Sequence, residues 1–587
     1  MRWVDAGPRQ VLARIVAYVR PHRGLVAAAF LAAVGGQGLA LVVPVLVGLA
    51  IDAVVGQGSV AWADLSWLLG VLVCVVAVVA LLQWLQGYLT SRLTYETVRD
   101  LRDAAYGKFR RLPVSYIDEH PHGDLMSRVV NDADAVGDGL LQGMQQLFCG
   151  VVAVTGTLAF MFWISPPMAV VVVVVTPVSV LVAAFIAKVG HTSFAAQQKI
   201  QGELGGYVEE HVSHQRLLWA FGRAEEAEAG FAALNDRLYT VGERAQFAGS
   251  LTNPGTRFAN NVVYAVVAAI GCWACLTGFP GPLSIGGVQS FLSYTTQYTK
   301  PFNDISGVMT QLQTAFASAR RLFSLIDAPE QAPDPQDAAV LPEEPTGDMG
   351  FDDVSFGYEP GRPLLKGVTW HANPGERIAV VGPTGCGKTT LINLLLRFYD
   401  ADSGVVRVDG HNTQGLTRQS LRRAFGMVLQ DTWLFEGTVA ENIAYGRPDA
   451  TREEVRVAAK RAFAADFIER MPEGYDTRVG EGGAGLSQGE RQLLCIARVM
   501  LVDPPILLLD EATSSIDTRT EALVQEAFDV MMAGRTSLVV AHRLSTVRSA
   551  DQILVMGDGG IVERGTHEEL LAMDGAYARL YRSQFEG

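Results

Sequence analysis

The sequence predicts an all-α transmembrane domain of six helices with long cytoplasmic helical extensions, followed by an α/β domain of the P-loop type. Three observations predict it. The long apolar runs are confined to residues 1–325, whereas residues 350–587 alternate apolar strands with polar segments. A Pro-, Asp- and Glu-rich stretch, 326–349, separates the two. An apolar strand runs through a glycine-rich loop into an apolar helix at 376–396.

The totals agree. The 587 residues are 49% hydrophobic and 18% charged, against a usual charged fraction of roughly 25%. Mean hydropathy is positive, and a net charge of −14 argues against a nucleic-acid partner, which calls for a basic face. The six cysteines form no disulfide framework. Cys272 and Cys275 make a C-x-x-C without His or further Cys nearby, so they read as small packing residues rather than metal ligands. The first residues lack the pattern of a cleaved secretory signal.

A bilayer-spanning helix needs about 20 apolar residues. Six stretches supply that: 25–51, 65–86, 146–165, 167–189, 258–279 and 285–308. Five arginines (Arg2, Arg9, Arg14, Arg20, Arg23) precede the first span. Further basic residues crowd the second-to-third and fourth-to-fifth connections, among them Arg92, Arg99, Lys108, Lys199, Arg216 and Arg237. The other connections are nearly free of Lys and Arg. Lys and Arg stay on the cytoplasmic side, so both termini and the two basic connections are expected in the cytoplasm.

Those two connections read as helical hairpins. There is no proline from Asp64 to the residue before Pro113, and at about 1.5 Å per residue that run reaches roughly 70 Å, well over twice the hydrocarbon thickness of about 30 Å. Pro113, Pro121 and Gly123 are expected to break it at one tip, near 113–123. The second hairpin has its tip near 211–222. Residues 326–349 cannot bury a core and read as a linker.

The segment ERIAVVGPTGCGKTTLINLLL (376–396) is G-x-x-x-x-G-K-[ST] in the strand–loop–helix setting its chemistry requires. Gly382, Pro383, Thr384, Gly385, Cys386 and Gly387 form a loop whose N–H groups turn toward phosphates. Lys388 reaches the β- and γ-phosphates, and the hydroxyl of Thr389, followed by Thr390, suits Mg²⁺. A nucleotide-binding domain is the reading. PPILLLDEATSSID (504–517) supplies its acidic half: Asp510 ends a buried strand and suits Mg²⁺, and Glu511 can polarise an attacking water. TSLVVAHRLSTV (536–547) is another apolar strand, ending in His542, on the crevice side where open α/β sheets bind ligands.

Together these motifs resemble the ATP-binding-cassette family, specifically exporter-type half-transporters, over the whole chain. LSQGERQ (486–492) resembles the signature motif, Gln430 the Q-loop glutamine and Tyr358 the adenine-stacking aromatic. Asp517 resembles the D-loop aspartate and His542 the switch histidine. The resemblance implies ATP and Mg²⁺ as cofactors. Lys388, Gln430, Glu511 and His542 would serve catalysis, and Thr389, Gln430 and Asp510 would hold the metal. It also implies a second half-transporter, with ATP held between one chain's P-loop and the partner chain's Ser487, Gln488, Gly489 and Asp517. The tips near 113–123 and 211–222 resemble coupling helices. The expected activity is ATP-driven transport, in the export direction, of a small amphipathic molecule across a bacterial cell membrane. A siderophore-type importer or an ATP-gated channel on the same fold are the alternatives, and Glu511 with His542 favours hydrolysis-coupled pumping.

Two positions depart from the family's usual LSGGQ: Gln488 and Glu490. The LSQG and DEATSSID pattern resembles the catalytically intact half of heterodimeric exporters, so a heterodimer is favoured over a homodimer. In the sixth span, Lys300 is either a cavity charge or an i,i+4 partner of Asp304. Gln289, Tyr294 and Gln297 are candidates for the same face.

Overall fold

The computed structural model describes residues 7–55, 60–279, 281–359, 361–429, 432–510, 518–541 and 544–585; within its helices the side chains of 178–191, 302–307 and a few isolated positions are outside the description. The chain forms two compact units. One comprises residues 1–112 and 120–329, the other 113–119 and 330–587.

Among the described residues, the regular structure of the first unit is helical throughout. α1 (Pro8–Val19) precedes α2 (Arg23–Ala40) and α3 (Val43–Val55), which together occupy the first predicted span. The break between them falls where Pro44 lacks an N–H and its ring opposes the carbonyl four residues back. α4 (Trp62–Phe109) continues unbroken for 48 residues, or roughly 72 Å. α5 (Val114–Asp118), which belongs to the second unit, and α6 (His122–Val129) follow in the chain at the first predicted tip. The breaks come at Pro113 and Pro121, each the residue before a new helix, whereas Gly123 lies inside the first turn of α6. Proline removes a donor and is tolerated at helix starts; glycine merely costs about 1 kcal/mol there, so Gly123 does not break the chain as the sequence suggested.

α7 (Asn131–Gln145) passes through a five-residue π-turn, Gln146–Gly150, into α8 (Val151–Ile164). α9 (Pro166–Ser213), the short α10 (Gln215–Ala220) and α11 (Ala224–Thr277) build the second hairpin, and α12 (Ile285–Ile326) closes the unit. Among the described residues, four helical segments are long and apolar enough to cross a membrane: Pro8–Val54, Trp62–Phe109, His122–Ile164 and Arg257–Thr277. The fourth and sixth predicted spans lie in α9 and α12. Exposed apolar side chains on the other helices, among them Leu31, Val73, Trp84 and Phe162, suit a hydrocarbon surround.

α3 and α12 meet closely at one point. A Cβ on Gly286 would sit 1.9 Å from the Gly48 carbonyl oxygen, so only glycine allows the approach. Asp52 locks it: its carboxylate accepts from the Ser284 hydroxyl at 2.6 Å and from the Gly286 N–H at 2.8 Å, satisfying an otherwise orphaned donor at the start of α12. Tyr294 is fully buried beside Phe160 and donates to the Leu41 carbonyl. It therefore belongs to the helix-packing core, whereas Gln289 and Gln297 are half-buried. A buried tyrosine needs a partner for its hydroxyl, and the break between α2 and α3 supplied one. Lys300 is exposed; the Asp304 side chain lies outside the described residues.

The second unit is α/β. A six-stranded sheet has the order β12-β11-β3-β10-β9-β6, with β3 Arg377–Val381, β6 Phe425–Val428, β9 Ile506–Asp510, β10 Thr536–Val540, β11 Gln552–Gly557 and β12 Gly560–Gly565. All neighbours pair parallel except β12 on β11. Parallel strands covered on both faces read as continuous apolar runs, as ILLLD and IAVV do. An antiparallel sheet, β2-β1-β4-β5, lies in the same unit, with β1 Met349–Phe356, β2 Leu365–Ala372, β4 Ser403–Val408 and β5 His411–Asn412. A short ribbon pairs β7 (Gly437–Thr438) with β8 (Arg478–Val479). Helices of this unit include α13 (Lys388–Leu395), α14 (Arg418–Arg423), α15 (Val439–Ala444), α16 (Arg452–Arg461), α17 (Ala465–Glu469) and α18 (Gln488–Val502).

Residues 330–348 lie along this unit. Asp334 accepts from the Arg418 backbone N–H at 3.0 Å and pairs with the Arg418 guanidinium. The Asp409 carboxylate gathers the N–H groups of Thr346, Gly347 and Asp348 at 2.8–3.1 Å. Leu341 is buried in the same core as β1 and β2. Polar composition did not leave the segment loose, because its backbone donors found the Asp409 carboxylate and its Asp334 carboxylate found donors on Arg418.

Candidate functional site

The site is assembled where β3 and β9 end. β3 passes into the glycine-rich loop and that into α13. Gly387, the residue before α13, has φ +99°, and a Cβ there would meet Leu365 Cδ2 at 2.7 Å. A side chain is excluded twice over, by conformation and by space. No side chain caps this helix start at Gly387, and an uncapped helix N-terminus after a glycine-rich loop is an anion-binding arrangement. Lys388 curls back over the loop and donates to the carbonyls of Gly382 at 2.8 Å and Pro383 at 3.0 Å. Its ammonium is thereby held at the mouth of the loop.

Thr389 faces the other way. Its hydroxyl donates to Asp510 Oδ2 at 3.4 Å. One hydroxyl and one carboxylate at the end of a buried strand are the hard oxygen donors that Mg²⁺ takes. These two residues would hold the ion, which supplies charge neutralisation on transferring phosphate oxygens when bound. β10 lies beside β9 with Val540 opposite Asp510.

Tyr358 is exposed. Its orientation is fixed by polar and ring contacts. Its hydroxyl lies 3.2 Å from Thr390 Oγ1 and accepts from Asn393 Nδ2 at 3.1 Å. Its ring meets Phe356 and Tyr399 edge-on, both at 5.0 Å between centroids. Tyr399 in turn donates to Asp118 on α5 at 2.6 Å. Burial and the Asp118 carboxylate raise the Tyr399 phenol pKa well above the ordinary tyrosine value, so it stays a neutral donor. Cys386 is buried in the loop. Burial raises its thiol pKa, with Lys388 pulling the other way.

The signature residues lie at the start of α18. Ser487 is its N-cap, with Gln488, Gly489 and Glu490 in the first turn. Gln430, Glu511, Asp517 and His542 lie outside the described residues. The structure thus brings together Tyr358, Lys388, Thr389, Thr390 and Asp510 around the loop. Three contributors were missed by sequence reasoning: Asn393, Tyr399 and Asp118. Asn393 had a faint signal, as a polar residue in the otherwise apolar LINLLL. Tyr399 and Asp118 are 281 positions apart and had none.

Fold and site define a class: a helical membrane protein carrying a P-loop ATPase domain. The sequence matches the ABC transporter transmembrane region over residues 26–302 and the ABC transporter domain over 365–514. It is 42% identical over 534 residues to a fatty acid ABC transporter ATP-binding/permease protein of Mycobacterium bovis, covering 91% of this chain and 83% of that protein. It is 35% identical to an ATP-dependent lipid A-core flippase of Dechloromonas aromatica, covering 99% and 98%. A solved bacterial Atm1-family ABC exporter with ATP bound superimposes with a TM-score of 0.76 at 30% identity, covering 96% of this chain and 98% of that one.

The chain therefore belongs to the ABC transporter family: it is an ATPase coupled to transmembrane transport, of the exporter type.

Proposed function

We propose that this chain is one half of a dimeric exporter of the bacterial cell membrane, and that two ATP molecules are held between the P-loop of one half and the α18 end of the other. The observation that carries this reading is the division of the site. The 382–390 loop presents Lys388, Thr389 and an uncapped helix start, and Asp510 completes one side. Nothing among the described residues near that loop supplies the donors of the signature, which occupy a different helix start. A phosphate clamp built from two such ends needs a second chain to bring them face to face.

In this reading the loop N–H groups and Lys388 bind the phosphates, Tyr358 stacks on the base, and Thr389, Gln430 and Asp510 hold Mg²⁺. Glu511 accepts a proton from the attacking water, and His542 and Gln430 orient the γ-phosphate end. Ser487, Gln488 and Gly489, with Asp517, close on the partner's ATP. Loss of the γ-phosphate releases the clamp. The tip helices α5 and α10 would pass that change to the spans as coupling helices. Residues 1–325 form the transmembrane domain, 326–349 the connection and 350–587 the nucleotide domain, with both termini cytoplasmic as the Arg and Lys distribution favours. The partner is a second, non-identical half with a weakened site, rather than another copy.

The substrate is a small amphipathic molecule with apolar chains; the named cargoes of the two relatives above support that class. The test is the full-length transporter in lipid. Mg²⁺-dependent ATPase activity stimulated by single-chain or lipid-like amphiphiles, sensitive to vanadate and absent in Glu511→Gln, is expected. Turnover by Glu511→Gln at the parental rate would overturn the assignment of the base, and co-purification of the chain with itself alone, fully active, would overturn the heterodimer.

A further inference from the structure

Among the described residues, four helices in the second unit begin with the same reciprocal cap. At α15, α16 and the helix His567–Ala572 a threonine is paired with a glutamate three residues on. These caps satisfy orphaned N–H groups and stabilise their helices. The fourth is at α18. Glu490 Oε2 accepts from the Ser487 backbone N–H at 2.8 Å and from the Ser487 hydroxyl at 2.9 Å, while Ser487 Oγ accepts from the Glu490 N–H at 3.3 Å.

What differs is the demand on the donors. Under the trans-clamp reading above, on which this inference rests, the γ-phosphate of the partner's ATP takes the Ser487 hydroxyl and the N–H groups at this helix end. A hydroxyl has one proton to donate, and here that proton is committed to Glu490. The carboxylate also occupies the helix start with its own negative charge, the place the macrodipole favours for an anion. Two anions cannot share one donor at hydrogen-bond distance without repulsion.

We infer that Glu490 is an internal latch: its carboxylate occupies the signature end of α18 as a stand-in for the phosphate and must swing away before the partner's ATP is clamped. The latch keeps α18 ordered while the clamp is open. It also makes closure demand a full γ-phosphate, since a weaker anion does not displace a carboxylate already in place. Gln, the other residue suited to this position of the cap, would keep the hydrogen bond and lose the competing charge.

The experiment uses the full-length transporter assembled with its partner half in lipid, with ATP and ADP as probes. Glu490→Gln is expected to lower the half-saturating ATP concentration for hydrolysis by about three- to tenfold, with ADP affinity unchanged because ADP lacks the group that competes. Unchanged or raised half-saturation in folded Glu490→Gln overturns the latch. Glu490→Ala, which removes the carboxylate and leaves Ser487 capping the Glu490 N–H, is read in the same way if the glutamine variant does not fold. A third variant, Gly489→Asp, separates the two levels: it is expected to abolish turnover with cis ATP binding intact. Full turnover by Gly489→Asp would overturn the trans clamp itself, whereas a dead Gly489→Asp beside an unaltered Glu490→Gln would overturn only the latch.

Discussion

Two helix starts in the same unit, α13 and α18, solve one electrostatic problem in opposite ways. Each leaves N–H groups and a positive macrodipole end to be satisfied. α13 begins after a left-handed glycine with no side-chain cap, so its donors stay open to an incoming anion. α18 begins with a complete capping box that uses the chain's own carboxylate. An open end suits a ligand that is nearly always bound. A closed end suits one that arrives only when another chain does, because the exposed donors are otherwise unsatisfied.

The comparison breaks most completely at the chemistry. Glu511→Gln is expected to lower turnover by about 10²–10⁴-fold, the usual contribution of a general base, while ATP binding measured by a fluorescent analogue persists. Next comes the open end itself. Gly387→Ala forces a side chain into a φ of +99° and against Leu365, which costs about 1–3 kcal/mol. It should abolish nucleotide binding and lower the denaturation midpoint of the second unit.

The closed end is gentler. Ser487→Ala removes the cap at a cost of about 1 kcal/mol. It should reduce turnover while leaving nucleotide binding at the chain's own P-loop intact, read by ATPase assay beside analogue binding. The smallest effect is a rate at Cys386. Its thiol pKa is raised by burial, and only the thiolate is a nucleophile. Alkylation is therefore expected to be slow at neutral pH and to accelerate as pH rises above the ordinary thiol range. Bound ATP should protect, and Cys386→Ala should remove the sensitivity; inactivation of Cys386→Ala at the parental rate would show another target.

Legibility followed the range of the interactions. Lys388, Thr389 and the loop glycines were readable because one contiguous segment carries the strand, the loop and the helix. Asp510 was readable because a four-residue apolar run ending in an acid has few other meanings beside a P-loop. Tyr294 misled: an aromatic in a membrane helix looked like a cavity residue, but its hydroxyl found the Leu41 carbonyl at the break between α2 and α3. Gly123 misled because glycine weakens a helix whereas proline ends it. Asn393 and Tyr399, which orient Tyr358, escaped notice because their partners are 35 and 281 positions away.

The sequence by itself determined what is local or periodic. That includes the apolar lengths that only a bilayer accommodates, the asymmetry of Arg and Lys between connections, and the loop whose backbone must turn its donors toward phosphate. Tertiary structure decided what depends on distance between remote residues. It placed the Thr389 hydroxyl against the Asp510 carboxylate, seated the acidic connection at 330–348 on Asp409 and Arg418, locked α3 to α12 through Asp52, and gave the Ser487 proton to Glu490. A hydrogen bond is worth having only within about 3 Å and in line, and no pattern along a chain reports that distance until the chain has folded.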